Sequence, residues 1–347
     1  MKAAVLKNFN TDLDLEELDI PDLKKGQILV DIKYSGICGA QVNQKKGIKI
    51  DKKFLPCLMG HEGAGIVLEV GQGVTKVNSG DHVVLHWRKS SGLESDFPKY
   101  YSKTSKKLIG AGLITTFSEK SVISENRLTK IDKKHSLDIA ALLGCAVTTG
   151  IGIVENELRA HSNSSFLIAG VGGVGLSIIM GANLKSPSNV IALDLNDEKL
   201  AFSKTVGSTH QINILKDKKI IDIVNRITDN KGVDYVVDTT GNEEIIDQLL
   251  DATATGGSLV LVGQPEKDKN LTITNFLKLF KGITIFDSQG GLTNPEKDIP
   301  HLLELHENGV LNLDLLINKR ISLENINEGF NLLENHKFIG SRIIIEN

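Results

Sequence analysis

The spacing of apolar and polar positions changes twice along this chain of 347 residues. Up to about residue 135, short apolar runs such as 27–35 and 65–70 are separated by Gly, Pro and Asp, which predicts mostly β structure. From about residue 147, apolar strands alternate with helical patterns, as in a doubly wound parallel sheet. The end of the chain returns to another pattern, with a helix predicted at 300–308 and a final strand at 342–345.

The middle segment shows the clearest alternation, and it places the chain in the α/β class. Its predicted strands are 165–169, 190–193, 233–238, 258–262 and 283–286, and its predicted helices are 174–184, 197–206, 218–228 and 243–252. By contrast, residues 88–112 are polar, rich in Ser and Lys and without periodicity, which predicts one long loop. A chain of this length is expected to form two domains.

A glycine-rich turn lies between the first strand and first helix of the middle segment. The run GVGGVG at 170–175 fits the dinucleotide-binding pattern, and its glycines are Gly170, Gly172, Gly173 and Gly175. Such a turn lets the backbone approach a pyrophosphate at the helix N-terminus. The alternative is a turn that binds nothing, but strand, turn, helix, second strand and acid all coincide here.

Asp194 is the acid that completes this pattern, 194 − 175 = 19 positions after the last glycine. A carboxylate there accepts hydrogen bonds from ribose hydroxyls and repels a 2′-phosphate, so the sequence favours NAD over NADP. Lys199 can reach the adenosine ribose, although it is equally an ordinary solvated helix lysine.

Composition narrows the partners and the compartment. Lys and Arg total 40 against 43 for Asp and Glu, which gives no electrostatic case for nucleic acid or an anionic membrane. No apolar run is long enough to span a bilayer, and residues 1–6 lack the apolar core of a signal peptide. We therefore expect a cytoplasmic protein that acts on a small-molecule substrate. As a separate expectation, the protein is a homo-oligomer, either a dimer or a tetramer.

Three cysteines, far apart in sequence, do not form a disulfide framework. Cys38 and Cys145 together with His61 make two thiolates and one imidazole, a set that suits zinc and leaves its fourth position open. Spacing alone does not unite them, because a single cysteine is more often a buried apolar residue and a single histidine a core residue. Cys57 carries no motif.

The motifs are similar, in order along the chain, to those of the zinc-containing medium-chain alcohol dehydrogenases. The matching segments are 35–39, 60–65 (GHEGAG), 80–84 (GDHVV), 116–118, 144–150, 170–181 (GVGGVGLSIIMG) and 326–333 (INEGFNLL). The resemblance implies a GroES-like catalytic domain made from 1–146 and 289–347, with a Rossmann domain, 147–288, inserted between them.

The resemblance also implies roles for individual residues. Cys38, His61 and Cys145 take the catalytic-zinc positions, the ligand set known for alcohol dehydrogenases, and Glu62 takes the acidic position beside them. The further cofactor-binding positions are Thr149 and Val174 at the nicotinamide, Arg342 at the pyrophosphate, and Val262 after its strand.

The sequence departs from the family in two places. Residues 88–112 lack the cysteine-rich lobe that holds a structural zinc, so one zinc per subunit is expected. Ala40, Gln41 and Asn43 replace the Ser or Thr, the Asp and the His that the family often carries, and neither Ala nor Asn relays a proton. Gln41 can still orient His61. His86 is the candidate substitute for the relay, with water as the alternative.

The substrate pocket is expected to include Ala40, Trp87, Arg88 and Phe117. The two aromatic residues are equally consistent with core positions, and Arg88 with a solvated loop. An arginine at the pocket suits a phosphate or carboxylate on the substrate. The segments 37–41 and 87–89 also resemble family members associated with bacterial surface-polysaccharide synthesis, which points to a polyol or sugar-like alcohol, phosphorylated ones included.

These expectations define an NAD-dependent zinc alcohol dehydrogenase that acts on a primary or secondary alcohol or the corresponding carbonyl. One alternative is a zinc-free quinone or enone reductase of the same superfamily, against which three intact ligand positions argue. Another is a catalytically silent NAD-binding regulatory protein, which the missing relay residues favour and the intact ligand set disfavours.

Overall fold

A computed structural model describes residues 1–48, 50–217, 219–265 and 269–347. The chain forms two compact units. The first consists of Met1–Thr148, Asn294–Phe338 and Arg342–Asn347, and the second of Thr149–Thr293 and Ile339–Ser341. The expected domain limits were 146/147 and 288/289, whereas the compact units divide at 148/149 and 293/294.

The first unit is built mainly from strands. They are β1 Lys2–Leu6, β2 Asp14–Asp19, β3 Gln27–Ile37, β4 Cys57–Leu58, β5 Glu62–Val70, β6 His82–His86, β7 Lys99–Ser102, β8 Leu108–Gly110, β9 Lys120–Ser124 and β10 Leu128–Ile131. Strands β1, β2, β7, β8 and β4 form a closed barrel. The helices between residues 39 and 152 are α1 Gly39–Lys45, α2 Leu137–Ala141 and α3 Ala146–Gly152.

The second unit carries the alternating pattern. Its strands are β11 Ser165–Ala169, β12 Asn189–Asp194, β13 His210–Asn213, β14 Val233–Asp238, β15 Thr253–Leu261 and β16 Thr284–Asp287, and its helices are α4 Gly173–Asn183, α5 Asp197–Thr205, α6 Ile220–Ile227 and α7 Glu243–Ala252. The strands are parallel, in the order β13-β12-β11-β14-β15-β16. A buried aliphatic cluster from β11, β12, β14, α6 and α7 stabilises this sheet.

The chain end returns to the first unit with α8 Pro295–Glu307, β17 Ile317–Ser322, α9 Ile326–Glu334 and β18 Arg342–Glu346. Strand β18 pairs with β3, and β3 also pairs with β5 and β9. Strand β5 pairs with β6 in a register that sets Glu62 opposite His86. The central strand β3 is therefore surrounded by elements that are distant in sequence, and it ends directly before Cys38.

The predicted long loop at 88–112 is wrong in part, because it contains β7 and β8. Alternate residues of β7 are buried, among them Tyr100, whose hydroxyl accepts a hydrogen bond from the backbone of Val122 at 2.8 Å. Strand β7 alternates exposed and buried residues over only four positions and β8 has only three residues, so their own sequences carry little strand signal. Pairing with neighbouring strands of the barrel is what makes them strands.

Other element limits differ from those predicted. Strand β13 was missed. Helix α8 begins at Pro295 and not at Pro300, because Asn294 caps it by accepting from the backbone of Glu296. The predicted helix 218–228 is α6; Lys218 lies outside the described residues.

Within the described ranges, no single helix is long and apolar enough to cross a membrane. One bent pair of helical segments, Leu137–Gly144 with Ala146–Glu157, is long and apolar enough when the two are taken together, by length and composition alone.

Candidate active site

Cys38, His61 and Cys145 converge within the first unit. Cys38 is the N-cap residue of α1, His61 lies directly before β5, and Cys145 follows a short 3₁₀ turn, Leu142–Gly144. One potential ligand atom from each lies within 4.8 Å of the other two. The structure thus brings together three residues that sequence spacing could not connect.

The chemistry of these three residues fits zinc. The Nε2 atom of His61 is buried and has no hydrogen-bond partner among the described residues. A buried polar nitrogen of this kind is costly unless a ligand satisfies it. Two sulfur atoms and one imidazole nitrogen at this separation form the donor set of a catalytic zinc site.

Close packing behind the ligands depends on two glycines. A Cβ atom on Gly144 would lie 2.4 Å from the carbonyl oxygen of Leu85 and 2.7 Å from Cα of Glu62. A Cβ atom on Gly36 would lie 2.3 Å from Oε1 of Glu62. Only glycine therefore lets the segments that carry Cys38 and Cys145 approach β5 so closely.

The two thiols influence each other's ionisation. The hydrogen bond from Cys145 holds the pKa of Cys38 well below its usual value, and the charge of Arg342 acts in the same direction. The same hydrogen bond, together with burial, raises the pKa of Cys145. The pair therefore gives up its first proton easily and its second with difficulty, as expected for two thiols prepared to bind a cation.

Glu62 and Arg342 form a buried ion pair next to the thiols. Nε of Arg342 donates to Oε1 of Glu62 at 2.5 Å and Nη2 to Oε2 at 3.4 Å, and the two side chains are 3% and 0% exposed. Burial raises the pKa of Glu62, and the Arg342 charge opposes that rise. Glu62 thus faces Arg342. The predicted contact of Arg342 with a pyrophosphate stays a prediction.

The predicted proton-transfer role of His86 stays a prediction, and the structure places this residue among core contacts. Its ring is 2% exposed, and its nitrogens contact the carbonyl oxygen of Arg88 at 2.7 Å and the hydroxyl of Thr129 at 3.0 Å. Burial lowers the pKa of His86 to about 4. Both ring nitrogens are therefore engaged within the fold, and water is the proton acceptor that the surroundings of His86 favour.

Phe117 occupies a core position, the alternative that the sequence had left open. It is 1% exposed and packs edge-on against Phe330, with ring centroids 6.0 Å apart, so it belongs to the core and does not line an open pocket. Trp87 and Arg88 are partly exposed, and the Arg88 guanidinium lies 5.8 Å from the centroid of the Trp87 ring. Ala40, in α1, is also partly exposed and offers no hydroxyl.

The glycine-rich turn has the geometry that the dinucleotide pattern requires. Gly170 has φ of +86°, and a Cβ atom on Gly175 would lie 2.0 Å from the carbonyl oxygen of Gly170. A Cβ atom on Gly172 would meet nothing within 4 Å, which leaves space at the start of α4. Close packing at the first and third glycines and open space at the second fit a bound pyrophosphate.

Asp194 ends β12 beside this turn. One carboxylate oxygen accepts from the backbone of Val171 at 2.9 Å and the other from that of Asn196 at 3.0 Å. These bonds fix the carboxylate and leave lone pairs for ribose hydroxyls. Lys199 lies in the first turn of α5, where its backbone is capped by Asn196.

The remaining candidate cofactor-binding residues lie in two helices and directly after one strand. Val174 is in the first turn of α4, Thr149 is a buried residue of α3, and Val262 follows β15 and donates its backbone N–H to Asp238 at 2.8 Å. Sequence motifs did not point to Asp238 as a candidate site residue. It ends β14, next to β11 in the sheet, and the edge formed by such strand ends is where ligands bind in doubly wound sheets.

Comparison with known proteins extends these observations over the whole chain. Residues 24–133 match the alcohol dehydrogenase GroES-like domain, and residues 173–308 match the zinc-binding dehydrogenase domain. Alcohol dehydrogenase 6 of Peromyscus maniculatus is 32% identical, over 97% of this chain and 96% of that protein. An S-(hydroxymethyl)glutathione dehydrogenase of Photobacterium damsela subsp. piscicida is 31% identical, over 97% and 98%.

Solved structures agree with this. The alcohol dehydrogenase zinc-binding domain protein from Burkholderia ambifaria superposes with a TM-score of 0.90 at 26% identity, over 99% of this chain and 98% of that chain. The benzyl alcohol dehydrogenase of Acinetobacter calcoaceticus gives 0.88 at 28%, with the same coverage. The expected GroES-like plus Rossmann fold is confirmed, and the chain belongs to the family of zinc-dependent medium-chain alcohol dehydrogenases.

Proposed function

We propose that Cys38, His61 and Cys145 hold the catalytic zinc of this alcohol dehydrogenase, one ion per subunit. The observation that carries the proposal is the convergence of the three ligand atoms within 4.8 Å, with the buried Nε2 of His61 among them. The enzyme is an oxidoreductase that transfers a hydride between an alcohol or carbonyl and NAD. Both alternatives, a zinc-free reductase and a silent regulatory protein, leave this ligand set without a purpose.

The residues of the chain divide the work of the reaction. When bound, zinc supplies a Lewis acid that stabilises negative charge on the alcohol oxygen, and NAD accepts the hydride. Arg342 offsets the negative charge of Glu62 beside the thiols, with Nε of Arg342 2.5 Å from Oε1 of Glu62. Asp194 orients the adenosine ribose, and the turn at Gly170–Gly175 takes the pyrophosphate.

The alcohol proton leaves by a different route from the usual hydroxyl–histidine relay. Ala40 and Asn43 in α1 carry neither a hydroxyl nor an imidazole, and His86 is engaged in the fold. We propose that water, or a hydroxyl of the substrate itself, takes the proton. That favours a polyol or sugar-like alcohol over a simple aliphatic one.

Arg88 is the residue proposed to select an anionic substrate. Its guanidinium lies over the Trp87 ring, 5.8 Å from the centroid, and both residues are partly exposed. A planar cation held in this way suits bidentate binding of a phosphate or carboxylate. The contribution expected of such a charge-assisted bond is about 1.5–3 kcal/mol, or roughly ten- to a hundredfold in affinity.

NAD reduction with a panel of alcohols tests the proposal. We expect polar and anionic alcohols to exceed ethanol in kcat/KM, and Arg88→Ala to raise KM for a phosphorylated alcohol by roughly ten- to a hundredfold while sparing its neutral analogue. Lys89→Ala is the matched control, because Lys89 is exposed and bound to Glu94 at 2.8 Å. Equal effects on both substrates, or simple alcohols as the best substrates, contradict the anionic pocket.

We further infer a cytoplasmic homo-oligomer. Phe276, Leu277 and Phe280 are 68%, 69% and 72% exposed, and strand β16 pairs only with β15 among the described strands. An exposed strand edge beside large apolar side chains favours a second copy as its neighbour. The cytoplasm is supported by three free cysteines, two of which are the proposed metal ligands.

A further inference from the structure

Gln41 is a buried amide that bridges two parts of the proposed zinc site. The residue is 3% exposed and lies in α1, which begins directly after Cys38. Its Oε1 accepts a hydrogen bond from the backbone N–H of Gly60 at 2.9 Å, and its Nε2 contacts Nδ1 of His61. Because a backbone N–H can only donate, the oxygen has to face Gly60, and the NH₂ group is thereby directed at His61.

This orientation determines which nitrogen of His61 carries the ring proton. An amide NH₂ group only donates, so Nδ1 of the imidazole accepts, and in the neutral ring the proton then lies on Nε2. Nε2 is the buried nitrogen without a hydrogen-bond partner in the described part of the chain, and it is the one left for the metal. In the metal-free protein the ring proton thus occupies the ligand atom.

Metal binding requires the opposite arrangement. Nε2 has to present its lone pair, and Nδ1 then carries the proton and becomes a donor. The NH₂ group of Gln41 would then meet another donor, Nδ1–H of His61, and turning the amide round would set the same NH₂ group against the N–H of Gly60. A carboxylate at this position would offer one oxygen to each donor.

Gly60 cannot easily turn away to relieve this conflict. Its φ is +95°, and a Cβ atom there would lie 2.3 Å from the hydroxyl of Thr116 and 2.8 Å from the backbone nitrogen of Phe117. The backbones of Thr116 and Phe117 also donate to the carbonyl oxygen of Met59, at 3.1 Å each. The segment directly before His61 is therefore held on several sides.

We infer that Gln41 is a positioning residue that favours the metal-free tautomer of His61 and thereby weakens zinc binding. The inference rests on the proposed function, because it takes His61 as a zinc ligand through Nε2. The site then holds zinc less tightly than its three ligands alone would allow, and a single substitution in α1 should strengthen it.

Zinc dissociation constants measured by competition with a chromophoric chelator test this. Gln41→Glu supplies the second oxygen, and we expect it to tighten zinc binding by about tenfold or more, within the range of about 10–100-fold by which such outer partners change metal affinity. Gln41→Met keeps the length of the side chain without its hydrogen bonds, and we expect it to bind zinc no more weakly than the parent protein. An unchanged or weaker constant for Gln41→Glu, or clearly weaker binding by Gln41→Met, overturns the inference.

The tautomer can be read directly in the unsubstituted protein, so the inference does not depend on whether a variant folds. Imidazole ¹⁵N shifts of the metal-free chain, with His61 assigned by comparison with His61→Gln, should show the proton on Nε2. A proton on Nδ1 overturns the inference. If the parent protein and Gln41→Glu both fail to bind zinc, the proposed ligand set itself is wrong, a result distinct from equal binding by both.

Discussion

At the scale of single residues, the site depends on a few contacts that leave little room for substitution. Gly36 and Gly144 admit the carboxylate and backbone of Glu62 at distances that no Cβ atom tolerates. Glu62 in turn is bound by Arg342, so a buried charge beside the thiols has a partner. Removing one member of such a pair leaves the other as an unpaired buried charge, so we expect the two residues to act together.

Asp194 provides the prediction at this scale. Asp194→Ala removes the acceptor for the ribose hydroxyls and the repulsion of a 2′-phosphate, so KM for NAD should rise and the preference for NAD over NADP should narrow. Steady-state kinetics with both cofactors measure this. Because Asp194 also accepts from the backbone of Val171, Asp194→Asn, which keeps one carbonyl oxygen, serves as the comparison. Equal efficiency with NAD and NADP in the parent enzyme would refute the assignment.

At the scale of elements, the segment that follows β6 is held in place by hydrogen bonds to a buried carboxylate. Glu125, 1% exposed, accepts from the backbones of Thr75 at 2.6 Å, Lys76 at 3.0 Å and Leu93 at 2.7 Å. Its neighbour Ser124 contacts the backbone of the same segment. These backbone bonds lower the pKa of Glu125 against the effect of burial. One buried carboxylate thus joins three stretches of chain.

Glu125→Gln should therefore destabilise the first unit. An amide of the same shape places an NH₂ group against backbone donors, and the loss of charge-assisted hydrogen bonds should cost about 1.5–3 kcal/mol in the free energy of unfolding. Denaturant unfolding followed by fluorescence measures this. Glu69→Gln, at an exposed position of β5, is the matched control. Similar unfolding curves for both variants would show that Glu125 is not an anchor.

His86, in β6, gives the structure a predictable dependence on pH. Burial lowers its pKa from 6.5 to about 4, so between these values the unfolded chain binds a proton that the folded chain does not. The contribution to stability is therefore complete above pH 6.5 and is lost as the pH falls towards 4. The shift of 6.5 − 4 = 2.5 units corresponds to about 3 kcal/mol, of which about 2 kcal/mol is lost by pH 5.

Unfolding free energies at pH 7 and pH 5 measure this effect. His86→Gln should be less stable than the parent protein at pH 7, because it loses the contacts with Arg88 and Thr129, but its stability should fall less between the two pH values. If both proteins lost the same stability on acidification, another group would be responsible.

At the scale of the whole molecule, the alternating middle segment was the part most readily predicted. Strand β11 is buried throughout and β14 is rich in Val, and the limits of both coincide with those predicted. Strands β7 and β8 were not found, because they are only four and three residues long and are held in the barrel by pairing with each other and with β2 and β4. The local pattern of apolar residues predicts a strand well where the strand is long and buried, and poorly where only pairing with other strands makes the segment a strand.

The candidate site, like the fold, could be predicted from the sequence only in part. Motifs pointed to the proposed zinc and nucleotide residues, because metal and pyrophosphate binding require particular residue types. The sequence left open whether His86 and Phe117 reach the pocket, because a position near a motif does not show where a side chain points. Gln41 was recognised as a neighbour of His61, but its bond to Gly60 is visible only in three dimensions.

The most direct test of the account is the zinc content of purified protein expressed with added zinc, measured by mass spectrometry alongside NAD reduction. Parent protein and Cys57→Ala should each hold one zinc per chain, because burial raises the pKa of the Cys57 thiol to about 11 and it is not part of the ligand set. Cys145→Ala should lose both zinc and activity, since it opens the metal shell. Two zinc ions per chain, none in the parent protein, or retention of zinc and turnover by Cys145→Ala would contradict the account.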